Sequence, residues 1–287
     1  MTGEAIPTID MKGKTALITG AGAGIGRGIA EAFGALGARI IGAEIDPARA
    51  ATTESALRDA GVAVEMHVCD VRESSQVKAL MARLAESTTG IDTLVNNVGD
   101  SLAVFMHPFE QAQEEFWDAL YAINLRHVFT VSQAALPLLR RRAPGATIIN
   151  VSSIEAFRAI PMCPVYSAFK AAITGFTKSL ALILGPEGIR VNTIAPETTE
   201  TEQVKPSLWV KPELRENVAR WTPLGRFGEP RDMAGCAVFL ATGLSGWVTG
   251  TTVHADGGAL AAAGFYRTPS GAWSNTPIVT GDGFGFG

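Results

Sequence analysis

At 287 residues, 47% hydrophobic and 18% charged, the chain has material for a sizeable core, which excludes an intrinsically disordered protein. A net charge of −4 with basic residues spread along the chain argues against a nucleic-acid binder, and Arg140, Arg141 and Arg142, the compact basic run, read as a solvated helix end. Cys69, Cys163 and Cys236 are widely spaced and match neither a disulfide framework nor a metal site, so no metal and a reducing compartment are expected.

The N-terminal ten residues carry acidic side chains and no apolar core of signal-peptide length. No stretch approaches the roughly 18 uninterrupted apolar residues of a membrane helix. A soluble, cytoplasmic protein is expected. In chain order, Thr15–Thr19 reads as a strand and Ile25–Leu36 as a helix, followed by a strand over Arg39–Ala43 and a helix over Pro47–Asp59. Val62–Val68 and Ile91–Val95 are the next strands, with a helix around Ser74–Glu86 between them. A long amphipathic stretch, Glu110–Arg142, precedes strand Thr147–Val151. Val165–Leu184 is a helix stopped by Gly185 and Pro186, and Arg190–Ile194 is a further strand. Strands alternating with helices through short connections imply a parallel sheet covered on both faces. The expected fold is α/β: a single-domain, doubly wound parallel sheet of Rossmann type with about seven strands and helices on both faces.

Two segments depart from this rhythm. Residues 197–223 are polar and turn-rich yet carry Trp209 and Trp221, as a mobile lid would. Residues 259–287 form a C-terminal extension, rich in Gly, Pro and Thr but holding Phe265, Tyr266, Trp273, Phe284 and Phe286. Its composition argues against regular structure and its aromatics against a free tail. No internal repeat or interdomain linker divides residues 1–258, which read as one dinucleotide-binding and catalytic domain.

The first strand runs straight into Thr19-Gly20-Ala21-Gly22-Ala23-Gly24-Ile25-Gly26. Glycines there let the backbone turn tightly and approach a pyrophosphate, which meets the free N–H groups of the next helix. The strict Gly-x-Gly-x-x-Gly spacing is absent; the position after the first strand of an alternating pattern gives the cluster its weight. Glu44 ends the second strand, where a carboxylate can accept hydrogen bonds from both adenosine ribose hydroxyls and repel a 2′-phosphate. NAD is therefore favoured over NADP. Asp70 ends the third strand within reach of an adenine amino group, and Asn96-Asn97-Val98-Gly99 follows the fourth. There the amides can hold neighbouring loops while Gly99 leaves room for a flat ligand.

Tyr166 and Lys170 stand four apart at the start of a helical stretch, so they share a face. A nearby ammonium stabilises a phenolate and is expected to lower the Tyr166 pKa. Thirteen residues earlier, just past a strand, Ser153 can polarise a carbonyl oxygen; Ser152 competes, and the spacing prefers Ser153. Asn124, in the long helical segment, could hold a water against Lys170; its plainer reading is a packing or kink-forming amide.

Together these residues resemble the short-chain dehydrogenase/reductase family, from Gly13 to Gly258. The matching pieces are Thr19–Gly26, Asp70, Asn96–Gly99, Asn124, Ser153, Tyr166-Ser-Ala-Phe-Lys170, Pro196 and Asp256-Gly257-Gly258. The resemblance implies a catalytic tetrad of Asn124, Ser153, Tyr166 and Lys170, with Tyr166 as base in alcohol oxidation and acid in ketone reduction. It implies Lys170 on the nicotinamide ribose and Ser153 orienting the substrate oxygen. It places Gly20, Gly24, Ile25, Gly26, Glu44, Asp70, Val71, Asn97, Gly99 and Pro196 against the cofactor, with Thr199 reading its carboxamide and Thr201 a phosphate. It further implies a homotetramer, or dimer, through Glu110–Arg142, Val165–Leu184 and the last strand, onto which the aromatic tail could dock.

Three features depart from the family's pattern: Val98 where Ala is usual, Glu197 where Gly commonly follows the Pro, and the extension after Gly258. In such proteins the loop after strand four, the loop before the Tyr and the lid select the substrate. Here they contribute Leu102, Phe105 and Met106, then Ile160, Met162 and Cys163, then Leu208, Trp209 and Trp221. The balance is apolar, with no cations for a phosphate or CoA, and points to a hydrophobic secondary alcohol or ketone, alicyclic, aromatic or steroid-like. Glu155 could touch a polar substrate end or face solvent. A 3-oxoacyl thioester reductase and a non-catalytic NAD-binding regulator are the alternatives, and the intact tetrad weighs against the second. A lyase or epimerase would carry a larger C-terminal domain.

Overall fold

The computed structural model describes residues 9–102, 109–208, 210–220 and 222–262, with two short strands at 266–267 and 273–274. Seven parallel strands, β1 (Thr15–Thr19), β2 (Arg39–Glu44), β3 (Val64–Val68), β4 (Thr93–Asn96), β5 (Thr147–Val151), β6 (Arg190–Pro196) and β7 (Thr252–Ala255), lie in the order β3-β2-β1-β4-β5-β6-β7. β1 and β5 are buried along their whole length, as strands covered on both faces must be. One face carries helices α1 (Gly24–Ala35) and α7 (Pro230–Ala241), whose Ile29, Phe33, Met233 and Leu240 meet Ile18, Ile40 and Ile149 from the sheet. Val77, Leu84, Val131, Leu138, Leu180 and Leu184 fill the other face from α3 (Ser74–Ser87), α5 (His127–Arg140) and α6 (Pro164–Leu184). Helix α2 (Pro47–Asp59) starts with Pro47 at its first position and Asp46 accepting the Ala48 and Arg49 N–H groups.

The expected order of elements is present, and its boundaries shift. β2 runs one residue further, so Glu44 lies in the strand; β6 extends to Pro196; and α7, with no counterpart among the sequence expectations, closes the α1 face. Glu110–Arg142 is not one helix. It divides into a 3₁₀ turn (Phe109–Gln111), α4 (Glu114–Tyr121), a π-turn (Ala122–Arg126) and α5. The basic run lies at the exposed end of α5, as expected, and is tied there: Arg140 pairs with Glu187, Arg141 donates to the Ala85 and Thr88 carbonyls, and Arg142 reaches Asp92. α6 with the turn after it, Pro164–Glu187, has the length and mean hydropathy (1.2) of a spanning helix. Lys170, Ile173, Thr177, Leu180 and Leu184 instead bury one side of it in the domain.

The segment 197–223 is built of 3₁₀ turns at Pro206–Leu208 and Pro212–Arg220, and Val210 and Val218 are buried there against Leu214 and Phe227. Such a segment has a small core of its own. The extension is less irregular than its composition implies: α8 (Ala259–Ala262) continues it, and β8 (Tyr266–Arg267) pairs antiparallel with β9 (Trp273–Ser274). Phe265, Phe284 and Phe286 lie outside the described residues.

Asp92, at the head of β4, binds that strand to its neighbours. It accepts the Thr15 N–H (2.9 Å), Arg142 Nε (3.1 Å) and Lys14 Nζ (3.2 Å). Asp92→Ala would strand a buried backbone donor, and a loss of about 1–3 kcal/mol is expected. Chemical denaturation reads it directly as a lower midpoint at unchanged slope.

Candidate functional site

The sheet reverses its order between β1 and β4, and the crevice at their carboxyl ends is where doubly wound sheets bind ligands. The glycine loop lines it. Gly20 and Gly24 have φ of +66° and +52°, and α1 starts at Gly24 with Ala23 supplying no side-chain cap, which leaves its first N–H groups free for an anion. A Cβ at Gly26 would run into the Gly20 carbonyl and stand 2.6 Å from Asn97 Nδ2. Asn97 Nδ2 donates to the Thr19 carbonyl (3.1 Å), and its N–H to Thr19 Oγ1 (3.0 Å), so the amide after β4 fixes the loop after β1 as expected. The first of the paired amides, Asn96, turns inward and joins a buried polar chain through Ser132 and Asn150 to Thr177 and Thr193. Val98 brings its extra methyl against Gly20.

Glu44 stands where the second strand meets this loop and is 5% exposed. Its Oε2 accepts the Gly22 N–H (3.0 Å), and its Oε1 accepts those of Ile45 (3.0 Å) and Asp46 (3.1 Å). Ribose hydroxyls would have to share these oxygens with the backbone. The Asp70 carboxylate, past the end of β3, is partnered by Arg72. Arg72 grips it with Nε (2.9 Å) and Nη2 (2.7 Å) and holds it below the usual carboxylate range. Val71 beside it is buried in the core, while Ile25 is half-buried against the α1 side.

The four candidate catalytic residues converge. Ser153 stands near enough to Tyr166 for its hydroxyl to favour the phenolate. Ser152 is no rival: its hydroxyl donates to the Lys170 carbonyl (2.7 Å) and supports α6. Lys170 Nζ lies 5.6 Å from the centre of the Tyr166 ring. A side chain at Gly99 would be 2.7 Å from Lys170 Nζ and 3.2 Å from Asn124 Oδ1, so both residues close on that glycine. Asn124 sits in the π-turn. Its Nδ2 donates to the Asp100 (2.7 Å) and Leu120 (3.1 Å) carbonyls and its Oδ1 accepts the Asp100 N–H (3.2 Å). The widened turn and the pinned loop are one device, so the kink-forming reading of Asn124 holds, and its amide is spent on the Asp100 loop and the Leu120 carbonyl.

The electrostatics correct one expectation. Burial pushes the Tyr166 phenol up, with the nearby Ser153 hydroxyl opposing and Cys163, Glu155 and Asp100 adding to the rise. Burial also brings Lys170 down to about 8, with Asp100 opposing. At 5.6 Å from the ring centre, the ammonium does not outweigh desolvation of the phenol.

Leu102, Ile160, Met162 and Cys163 gather with Leu120, Phe116, Val165, Tyr166 and Phe169 in one apolar cluster. Leu208 stays exposed, and Phe105, Met106, Trp209 and Trp221 lie outside the described residues. Past Pro196, which ends β6, the loop closes on itself. The Thr199 hydroxyl donates to the Glu197 carbonyl (2.8 Å) and the Thr201 hydroxyl accepts the Val204 N–H (3.0 Å). The Thr201 methyl, not its hydroxyl, faces Gly24. Glu155 neither faces solvent nor opens into the pocket; it is buried with Arg158 and Glu197. Asp100, Arg158 and the fully buried His127, whose imidazole burial and Lys170 push down to about 3, join the site without having been singled out in the sequence. For Asp100 the signal was its place next to Gly99; for Arg158 and His127 there was none.

A family model described as Enoyl-(Acyl carrier protein) reductase matches residues 20–259. Galactitol 2-dehydrogenase of Agrobacterium fabrum is 39% identical over 257 residues, 86% of this chain and 98% of that protein. 3beta-hydroxysteroid dehydrogenase 1 of Eggerthella lenta is 36% identical over 258 residues, 89% of this chain and 97% of that one. Among solved structures, a 7 alpha-hydroxysteroid dehydrogenase complexed with NADH and 7-oxo glycochenodeoxycholic acid superposes with a TM-score of 0.80 at 30% identity, covering 87% of this chain and 95% of that chain.

Proposed function

Because the chain belongs to the short-chain dehydrogenase/reductase family of oxidoreductases, we propose that it moves a hydride between NAD(H) and a hydrophobic secondary alcohol or ketone, alicyclic, aromatic or steroid-like. The observation that carries this reading is the convergence of Tyr166, Lys170 and Asn124, with Lys170 Nζ 5.6 Å from the Tyr166 ring centre and Lys170 and Asn124 both closing on Gly99, while Ser153 acts on the phenol. A dinucleotide fits the crevice on three grounds: a cradle that a Cβ at Gly26 would fill, uncapped N–H groups at α1, and the Glu44 carboxylate at its rim. When bound, the nicotinamide supplies hydride exchange with the substrate carbon. Ser153 holds the substrate oxygen, and Tyr166 takes the alcohol proton in oxidation or gives it back in reduction. Lys170 holds the nicotinamide ribose, and Asn124 keeps the Gly99–Asp100 loop in place behind it.

Assaying NAD and NADP separately against a panel of hydrophobic secondary alcohols, hydroxysteroids included, tests the reading by absorbance of the reduced nicotinamide. Turnover with none of them overturns it. NAD is expected to exceed NADP in kcat/KM by at least about tenfold, since a fixed carboxylate at the ribose repels a 2′-phosphate. In Glu44→Ala that ratio should narrow as NADP improves; an unchanged ratio removes Glu44 as its cause.

A second reading, 3-oxoacyl thioester reduction, draws support from the likeness to 3-oxoacyl-[acyl-carrier-protein] reductase of Vibrio cholerae, 34% identical over 253 residues, 87% of this chain and 98% of that protein. Activity confined to acyl thioesters in the same assay selects it. We further propose a cytoplasmic homotetramer or dimer without nucleic-acid or membrane partners, assembled through α5, α6 and β7. Leu182 and Ile183 on α6, 81% and 66% exposed, and the fully exposed Trp247 before β7 support this, since assembly would bury them.

A further inference from the structure

Three charged side chains that hydride transfer does not use are buried together behind Ser153. Arg158 Nη2 lies 2.8 Å from Glu155 Oε1 and 2.6 Å from Glu197 Oε2, and its Nε lies 3.3 Å from Glu155 Oε2. The three side chains are only 5%, 11% and 6% exposed in the order Arg158, Glu155, Glu197. Desolvating two carboxylates and a guanidinium is costly, and an apolar cluster of the same volume would hold the fold as well. What these residues fix in place is therefore more informative than what they add to stability.

Each carboxylate belongs to a different side of the site. The Glu155 N–H donates to Ser153 Oγ (3.2 Å), and its carbonyl accepts the hydroxyl of Ser167, the residue after Tyr166. Glu197 Oε1 accepts the Thr198 N–H (2.7 Å) and hydroxyl (2.8 Å), and its carbonyl accepts the Thr199 hydroxyl. From there the chain is stitched to Gly228 by the Thr198 carbonyl and the Glu200 N–H. It then reaches the glycine loop with the Thr201 methyl and the Gly99 carbonyl with Gln203 Nε2 (3.5 Å). Arg158 is the bridge between the substrate-oxygen side and the segment over the dinucleotide crevice.

We propose that Arg158, clamped by Glu155 and Glu197, is a positioning residue that locks the Ser153 loop to the segment running from Glu197 over the glycine loop, so that the two sides of the site are set together. For its kinetic consequence this rests on the hydride-transfer reading; the lock itself does not.

The test uses the full chain with the triple change Glu155→Gln, Arg158→Met and Glu197→Gln, which removes the cluster's charges together and leaves none uncompensated; Arg158→Lys is made alongside. Hydrogen exchange reads the lock without turnover. Residues 153–157 and 198–203 should lose protection together in the triple variant, with the rest of the sheet unchanged. NADH Kd, read by nicotinamide fluorescence, should rise and kcat should fall, each by at least about tenfold. Arg158→Lys should recover part of both, since one ammonium can bridge the carboxylates but not fork them. Loss of protection in only one loop, or in neither, overturns the lock. Paired loss of protection with either constant unchanged overturns its role in the reaction. If the triple variant does not fold, Glu197→Gln alone takes the same measurements, and the same outcomes support or overturn the lock. A wild-type protein that binds NADH but oxidises no alcohol would sink the hydride-transfer reading and leave hydrogen exchange to decide the lock.

Discussion

Tyr166→Phe is expected to lower kcat by about 10²–10⁴-fold, the usual worth of a positioned proton donor, while NADH Kd changes by less than about twofold. The change removes one oxygen. The ring keeps its place in the apolar cluster that includes Phe169, Met162 and Ile160, and Lys170 keeps its place at Gly99, so the cofactor side is untouched. The wild-type pH dependence has a definite sign. Burial raises the phenol, so Tyr166 is protonated at neutral pH and ready to give a proton to a ketone. Oxidation needs the deprotonated form and should accelerate as pH rises through neutrality, whereas reduction should not gain from higher pH. Tyr166→Phe should flatten the rise in oxidation. Steady-state rates in both directions from pH 6 to 10 read this, and a Phe variant that retains wild-type kcat would remove Tyr166 from the chemistry.

Much of this site is legible in the sequence because its parts are local. The glycine loop after β1, the amides after β4 and the Tyr166–Lys170 turn of α6 each declare themselves within a few residues. Ser153 stands next to its strand. What the sequence hides is long-range or depends on burial. Amphipathic periodicity reads straight through Ala122–Arg126, because a π-turn keeps the helical pattern of side chains while shifting one hydrogen bond. The direction of the Tyr166 shift follows from how much of the ring the fold desolvates, which residue spacing does not encode. Thr199 and Thr201 are where the family pattern puts them, yet their hydroxyls satisfy their own loop first. In sequence Glu155 reads as a substrate contact or a solvent-facing charge and Glu197 as a departure from the family pattern, and only the meeting of β6 with the loop after β5 brings them onto one guanidinium.

Gly26→Ala tests how tightly the crevice is built, and a single methyl should be enough to damage it. Two effects oppose each other. Alanine in a helix is favoured over glycine by about 0.8–1 kcal/mol, and Gly26 lies inside α1 with no left-handed backbone to lose. Against this, the added carbon would meet the Gly20 carbonyl and stand 2.6 Å from Asn97 Nδ2. The first is main chain, and the second is already committed to the Thr19 carbonyl, so neither can yield as a free side chain would. Overpacking of this kind costs about 1–3 kcal/mol, more than the helix gains. Relief requires α1 to move away from β1 or Asn97 to release the loop, and either movement misaligns the N–H groups facing the crevice. The expected result is an NADH Kd raised by about 10–100-fold, the equivalent of about 1.4–2.7 kcal/mol, with kcat at saturating cofactor much less affected. Titration by nicotinamide fluorescence together with saturation kinetics separates the two. An unchanged Kd would mean that the glycine loop does not contact the dinucleotide. A fall in kcat alone would move the glycine's role from binding the cofactor to aligning it.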